Sequence, residues 1–221
     1  MGMRSVGMPR EDVLHDGGRG RVRRGPVHGD DGDGPPSTVD PSRPRDVSPT
    51  RPGRRHAAVP TRLGDLVVVA DGEAIAGLYF PHHWTDPDPA RWGEVVDPAD
   101  PVIARAAAEV TAYLEGELTA FTVPVTLDGT AFQQRVWAIL LDIPYAETTT
   151  YGTIARTFGN PGLAQEVGQA VGANPVSMIV PCHRVVGSDG RLTGYAGGLE
   201  RKAYLLALEE FVAGCSLVDP R

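Results

Sequence analysis

Apolar and polar residues alternate most clearly between residues 66 and 80. Leu66-Val67-Val68-Val69-Ala70 is followed by Asp71-Gly72 and then by Ile75-Ala76-Gly77-Leu78-Tyr79-Phe80. Two short apolar runs around a glycine-containing turn signal predict a β-hairpin. The period then changes. Asp100-Pro101 opens a stretch in which Val102, Ile103, Ala106, Val110, Tyr113 and Leu114 recur at helical spacing, so residues 102–115 are predicted as a helix. Val123-Pro124-Val125 reads as a short edge strand, because proline cannot donate to the interior of a sheet.

From residue 129 the helical period dominates. Thr130 is a candidate N-cap for residues 132–141, with Phe132, Val136, Ile139 and Leu140 on the apolar face. Residues 151–158 form a short helix, Gly159-Asn160-Pro161-Gly162 a turn, and residues 163–171 a second helix. Helix, tight turn, helix is the helix-turn-helix pattern. A last helix covers residues 199–211. The fold class is therefore α+β. A small N-terminal α/β domain with an antiparallel sheet (residues 61–128) precedes a mainly helical C-terminal domain with a helix-turn-helix (residues 129–212). Residues 213–221 are a tail.

Composition sets residues 1–60 apart. Gly, Pro, Arg and Asp supply 37 of these 60 residues and none is aromatic, so the stretch cannot bury enough apolar surface to offset chain entropy and is expected to be disordered. The net charge of −7 argues against a strongly nucleic-acid-binding surface, which needs cations against phosphate. The acidity is uneven. Residues 61–128 carry 3 arginines against 12 acids, whereas residues 129–221 carry 7 basic and 8 acidic residues. The helix-turn-helix segment is near neutral and can present a locally basic face, with modest DNA affinity. Two cysteines, Cys182 and Cys215, make no disulfide framework, and no Cys/His set has zinc spacing. No apolar run approaches a membrane span. A working thiol fits a reducing cytoplasm, and 20 arginines against a single lysine, Lys202, suggest a GC-rich bacterial source.

The chemistry concentrates in Asn174-Pro175-Val176-Ser177-Met178-Ile179-Val180-Pro181-Cys182-His183-Arg184-Val185-Val186. An apolar strand is expected to run into Pro181 and stop. A thiol of ordinary pKa ~8.5 is only a few per cent thiolate at neutral pH. An adjacent imidazole, or a water it holds, can take the proton, and a carboxylate behind the imidazole would orient it. A bare Cys-His pair would be read as a buried structural cysteine beside a chance histidine; the string around it decides otherwise.

That string resembles the signature of the O6-alkylguanine-DNA alkyltransferases, also called methylated-DNA–protein-cysteine methyltransferases. The resemblance extends through Thr193-Gly194-Tyr195-Ala196-Gly197-Gly198-Leu199, Lys202, Phe132-Gln133-Gln134-Arg135-Val136-Trp137 and Thr149-Thr150-Tyr151-Gly152. It implies direct-reversal DNA repair: one irreversible transfer of a methyl or larger alkyl group from O6-alkylguanine, and O4-alkylthymine, to Cys182. The implied catalytic set is Cys182 as acceptor, His183 acting through a water, Glu209 holding His183, Asn174 bracing the helix-turn-helix, and Tyr151 donating to the leaving base. Val185, Tyr195 and Ala196 join Tyr151 around the flipped base. Gln165, Gln169, Ala170, Val171, Gly172 and Arg184 are the implied DNA contacts. No metal or cofactor is implied, and the partner is double-stranded DNA bound by a monomer through the minor groove.

The chemistry is coherent on its own terms. Thiolate attack on the O6-alkyl carbon expels a guanine anion, which a hydroxyl donor stabilises by about 3–4 kcal/mol. The thioether product cannot be hydrolysed by a neighbouring group, so the protein turns over once. The base must leave the stack, at a cost of a few kcal/mol. The small residues Gly168, Ala170, Gly172 and Ala173 have two readings: close approach to a groove floor, or tight helix packing. One departure stands out: the family usually carries an arginine where this chain has Gln165, and a small residue where it has Glu166. The alternatives are a non-enzymatic lesion sensor of the alkyltransferase-like type, a transcription regulator and a thiol hydrolase. The sensors lack the cysteine, the second helix has few side chains for reading base edges, and no oxyanion site is evident.

Overall fold

The structure, a computed structural model, describes residues 53–83 and 87–216. The N-terminal arm before residue 53 and the tail beyond residue 216 lie outside the described residues. Three strands, β1 (Arg54–Val59), β2 (Leu66–Asp71) and β3 (Ala74–Tyr79), form an antiparallel sheet, and β4 (Glu94–Val95) joins β1 in parallel, giving the order β3-β2-β1-β4. The sequence reading placed residues 54–59 in the disordered arm; they form β1 instead. Composition hid the strand, because Arg54 and Arg55 belong to the basic stretch. Tertiary partners account for them: Arg54 pairs with Asp71 and Asp128, and Arg55 with Asp100. The hairpin is where the alternation put it, but its two-residue turn is Gly72-Glu73 rather than Asp71-Gly72, with Gly72 at φ 60°. Glycine at the first central position supplies the positive φ that a tight hairpin needs.

Helix α1 (Pro101–Glu115) begins where its capping chemistry predicts. Asp100 accepts from the Val102 and Ile103 amides, and Gly116 ends the helix at φ 79°. Its buried face is Ile103, Ala106, Val110, Tyr113 and Leu114, packed on the sheet. Each full burial of such an aliphatic side chain contributes roughly 1.5–3 kcal/mol. The outer edge of β3 takes two irregular segments. The Ile75 amide donates to Pro124 O at 2.8 Å and Ile75 O accepts from Thr126, so the expected edge segment at residues 123–125 does pair there. Further along, the Leu78 amide donates to Pro175 O at 2.9 Å and Leu78 O accepts from Ser177. Through these bonds the sheet holds the segment that leads to Cys182.

Helix α2 (Ala131–Leu141) carries a complete capping box between Thr130 and Gln133. Helix α3 (Tyr151–Thr157), a 3-10 turn at Pro161–Leu163 capped by Asn160, and helix α4 (Ala164–Gly172) form the helix-turn-helix. Trp137 on α2 anchors α4 by donating its indole N–H to Ala170 O at 2.8 Å. Two short parallel strands, β5 (Thr149–Thr150) and β6 (Val185–Val186), tie the start of α3 to the residues just after the cysteine. Helix α5 (Leu199–Ser216) runs past the expected end at residue 211 and takes in residues 213–216 of the presumed tail.

Candidate active site

Residues 176–180 do not form the expected strand. Two γ-turns take its place. Met178 sits at φ 66° with Ile179 N donating to Ser177 O at 2.9 Å, and Pro181 (φ −80°, ψ 61°) is spanned by a 2.8 Å bond from Cys182 N to Val180 O. The first kind of turn is strained for a residue with a Cβ. Asn174 compensates: its Oδ1 accepts from Val176 N at 3.0 Å and its Nδ2 donates to Val180 O at 2.9 Å. The buried amide thus fixes both ends of the loop, and local propensity would have given an extended segment. Cys182 follows on a 3-10 turn, Cys182–Arg184, only 3% exposed.

His183 and Glu209 are both fully buried, and His183 Nε2 lies 2.7 Å from Glu209 Oε1. An ionised carboxylate can only accept, so Nε2 carries the proton and Nδ1 is left as the basic nitrogen. Nδ1 has no hydrogen-bond partner among the described residues. Burial alone would raise the Glu209 pKa, but bonds from His183, Arg184 and Tyr113 overcome it and hold the carboxyl at about 2. Burial pulls His183 below 6.5 despite Glu209. Burial pushes the Cys182 thiol to about 11, against the opposing pull of Asn174 and of the Lys202 charge. The resting thiol is therefore protonated and needs a base.

The remaining residues named from sequence divide sharply. Tyr151, half-buried, is close enough to Cys182 for their charges to interact, and its hydroxyl rests on Thr193 O at 3.2 Å and Gly194 O at 3.4 Å. Tyr195 is buried with its ring edge-on to His183, 6.4 Å between centroids, and Ala196 is buried beside it. Val185 is core, and its carbonyl accepts from Lys202. Gln165 and Gln169 are exposed and, with Tyr151, Gly168, Gly172 and Thr193, line a groove of about 590 Å³ across α4.

Three expected DNA contacts are corrected. Ala170 and Val171 are 2% and 3% exposed and pack into the core. Arg184 is buried, with Nε 3.0 Å from Glu209 Oε2 and Nη1 2.6 Å from Ile143 O. Arg184, expected among the DNA contacts, is instead committed to the buried Glu209 carboxylate. The small residues occupy different settings. Ala170 is packing, whereas Gly168 and Gly172 line the groove.

Sequence reasoning missed Tyr113, and it gave Lys202 no role. Tyr113 donates to Glu209 Oε1 and its oxygen is 3.2 Å from His183 Nε2. Lys202 Nζ donates to Val185 O and Thr193 O, both at 2.6 Å, and burial lowers it to about 8. A signal for Lys202 existed: Lys202, Leu205 and Glu209 fall on one helical face, so two charged residues share a stripe with a core leucine. Tyr113 left none, since a tyrosine on an apolar helix face passes for core.

The fold and site define a protein that holds a buried thiol, followed in the chain by a carboxylate-bonded histidine, beside a helix-turn-helix groove. Two family models match: "6-O-methylguanine DNA methyltransferase, ribonuclease-like domain" over residues 55–127, and "6-O-methylguanine DNA methyltransferase, DNA binding domain" over residues 131–211. The methylated-DNA–protein-cysteine methyltransferase of Mycobacterium bovis is 44% identical over 170 residues, covering 73% of this chain and 96% of that protein. The protein of the same name from Haemophilus influenzae is 41% identical, covering 68% and 83%. A crystal structure of Mycobacterium tuberculosis OGT in complex with DNA aligns with a TM-score of 0.65 at 42% identity, covering 75% of this chain and 99% of that one. The chain belongs to the 6-O-methylguanine DNA methyltransferase family.

Proposed function

We propose that this protein repairs DNA by direct reversal, moving a methyl or larger alkyl group from O6 of guanine, and from O4 of thymine, onto Cys182 in a single turnover. The observation that carries this reading is a buried thiol followed at once by a histidine whose outer nitrogen is committed to a buried carboxylate. His183 Nδ1 receives the thiol proton through a water. The Cys182 thiolate attacks the alkyl carbon, the C–O bond breaks as the S–C bond forms, and the guanine anion takes up a proton. Tyr151 stabilises that anion once its hydroxyl leaves the Thr193 carbonyl for the base, the kind of donor worth about 3–4 kcal/mol. The thioether stays on the protein.

The partner is double-stranded DNA, engaged in the minor groove by the face of α4 that carries Gln165, Gly168 and Gln169, with the protein acting as a monomer. Non-enzymatic lesion sensors of the alkyltransferase-like type lack the cysteine, and here Cys182 is present with His183 next to it in the chain. Intact mass after incubation with a duplex containing O6-methylguanine tests the reading. The mass rises by one methylene, on Cys182, and Cys182→Ala does not gain it. Tight binding with no gain in mass would replace this reading with the sensor.

A further inference from the structure

Glu209 has more donors than an acid that merely orients a histidine requires. Oε1 accepts from His183 Nε2, from Arg184 and from Tyr113; Oε2 accepts from Arg184 Nε and, at 2.9 Å, from the Ala146 amide. Ala146 holds φ 62° to aim that amide, a conformation costly for a residue with a Cβ. Three of the four donor residues, His183, Arg184 and Ala146, lie on the helical half of the molecule. Tyr113 alone comes from α1, which packs on the N-terminal sheet. Its ring is fully buried between Phe121 and Tyr145, with centroids 5.0 and 6.1 Å away. Phenylalanine would fill that space equally well, and a hydroxyl buried there costs free energy unless it is bonded. The bond it makes is to the carboxylate behind the base.

We propose that Tyr113 is a positioning residue for the transfer reaction: its hydroxyl, donated to Glu209 Oε1 beside the His183 bond, fixes the carboxylate and keeps the imidazole proton on Nε2, leaving Nδ1 unprotonated as the acceptor for the thiol proton. The N-terminal domain thereby supplies part of the proton relay. This rests on Cys182 being the alkyl acceptor. The groups that face His183 are Glu209 and Lys202 from α5, Cys182 and Arg184 from its own turn, Tyr113 from α1 and Tyr195 from the following loop, with Tyr145 beyond Tyr113. Removing the Tyr113 hydroxyl takes one donor from Oε1. The carboxylate then draws the imidazole proton more strongly, and the charged imidazolium gains.

The test is the rate of methyl transfer from an O6-methylguanine duplex to the full-length protein, followed by intact mass between about pH 5 and pH 9. Tyr113→Phe moves the acid midpoint of the rate upward by about one pH unit. In a Glu209→Gln background the same substitution produces no further movement. If wild type accepts methyl and Tyr113→Phe superposes on its pH profile, Tyr113 is only packing and the inference fails. A shift that persists without the carboxylate overturns it as well. Absence of transfer in wild type would instead overturn the proposed function. Should Tyr113→Phe not fold, ¹⁵N shifts of His183 in the wild-type protein decide the matter: protonation at Nε2 upholds the proposal and protonation at Nδ1 ends it.

Discussion

Arg184 and Glu209 form a two-pronged ion pair in the interior, with Arg184 Nε 3.0 Å from Oε2 and Nη2 3.0 Å from Oε1. The carboxylate is therefore compensated without His183, which is free to stay neutral as a base. Removing one partner strands the other charge in the core, so Glu209→Ala and Arg184→Ala are each expected to destabilise the fold by about 3–5 kcal/mol in urea denaturation. Arg184→Lys recovers little, because an ammonium cannot bridge both oxygens and the Ile143 carbonyl. Full recovery by lysine would show that charge alone matters.

Stability falls on acidification in two stages. His183 is held below 6.5 by burial, so the unfolded chain binds a proton before the folded one does, and stability drops as pH falls through 6.5. Glu209, at about 2 rather than 4.5, adds a second loss as pH falls from 4.5 toward 2. Thermal melts across this range are expected to decline in both windows. A melting temperature that is level from neutrality to pH 5 would contradict the assignment for His183.

The free thiol is expected to titrate near 11, read as thiolate absorbance in the ultraviolet, since burial raises it. Lys202 opposes that rise. Lys202→Met should push the midpoint higher and slow transfer at mildly alkaline pH by about tenfold, the effect of roughly one pKa unit. An unchanged titration in the variant would remove Lys202 from the site's electrostatics.

Gly168 separates packing from function. A Cβ there would sit 3.7 Å from the Tyr151 ring, an ordinary contact, and alanine is favoured over glycine in a helix by about 1 kcal/mol. Gly168→Ala is expected to melt at a higher temperature while transferring about tenfold more slowly, because on the proposed function the narrowed groove is the one that meets the DNA. A variant both more stable and fully active would assign Gly168 to the helix alone.

Gln165, which lines the groove, and its chain neighbour Glu166 are both exposed. Gln165→Arg adds a cation facing phosphate and should tighten DNA binding. It should also steepen the dependence of log K on log salt by about 0.9. If neither the dissociation constant nor the transfer rate changes, this position does not limit DNA engagement.

The sequence by itself determined the elements whose signals are local. Capping at Asp100 and Thr130, the hairpin alternation and the Gly159–Gly162 turn all encode structure within a few residues. The Pro181-Cys182-His183 string stands out in the sequence by its chemistry, whereas Glu209 entered only through the family resemblance; the fold brings it 2.7 Å from His183. Tertiary structure decided the rest. Arg54 and Arg55 look disordered until Asp71, Asp128 and Asp100 meet them from elsewhere in the fold. Residues 176–180 look extended until Asn174 holds them in strained turns. Arg184 looks like a DNA contact, and Tyr113 like core, until α5 brings Glu209 to both of them. Desolvation and pairing with neighbours tens of residues away set the roles of Arg55, Arg184 and Tyr113; the turns at 176–180 rest on the nearby Asn174 amide and on the distant β3 strand through Leu78.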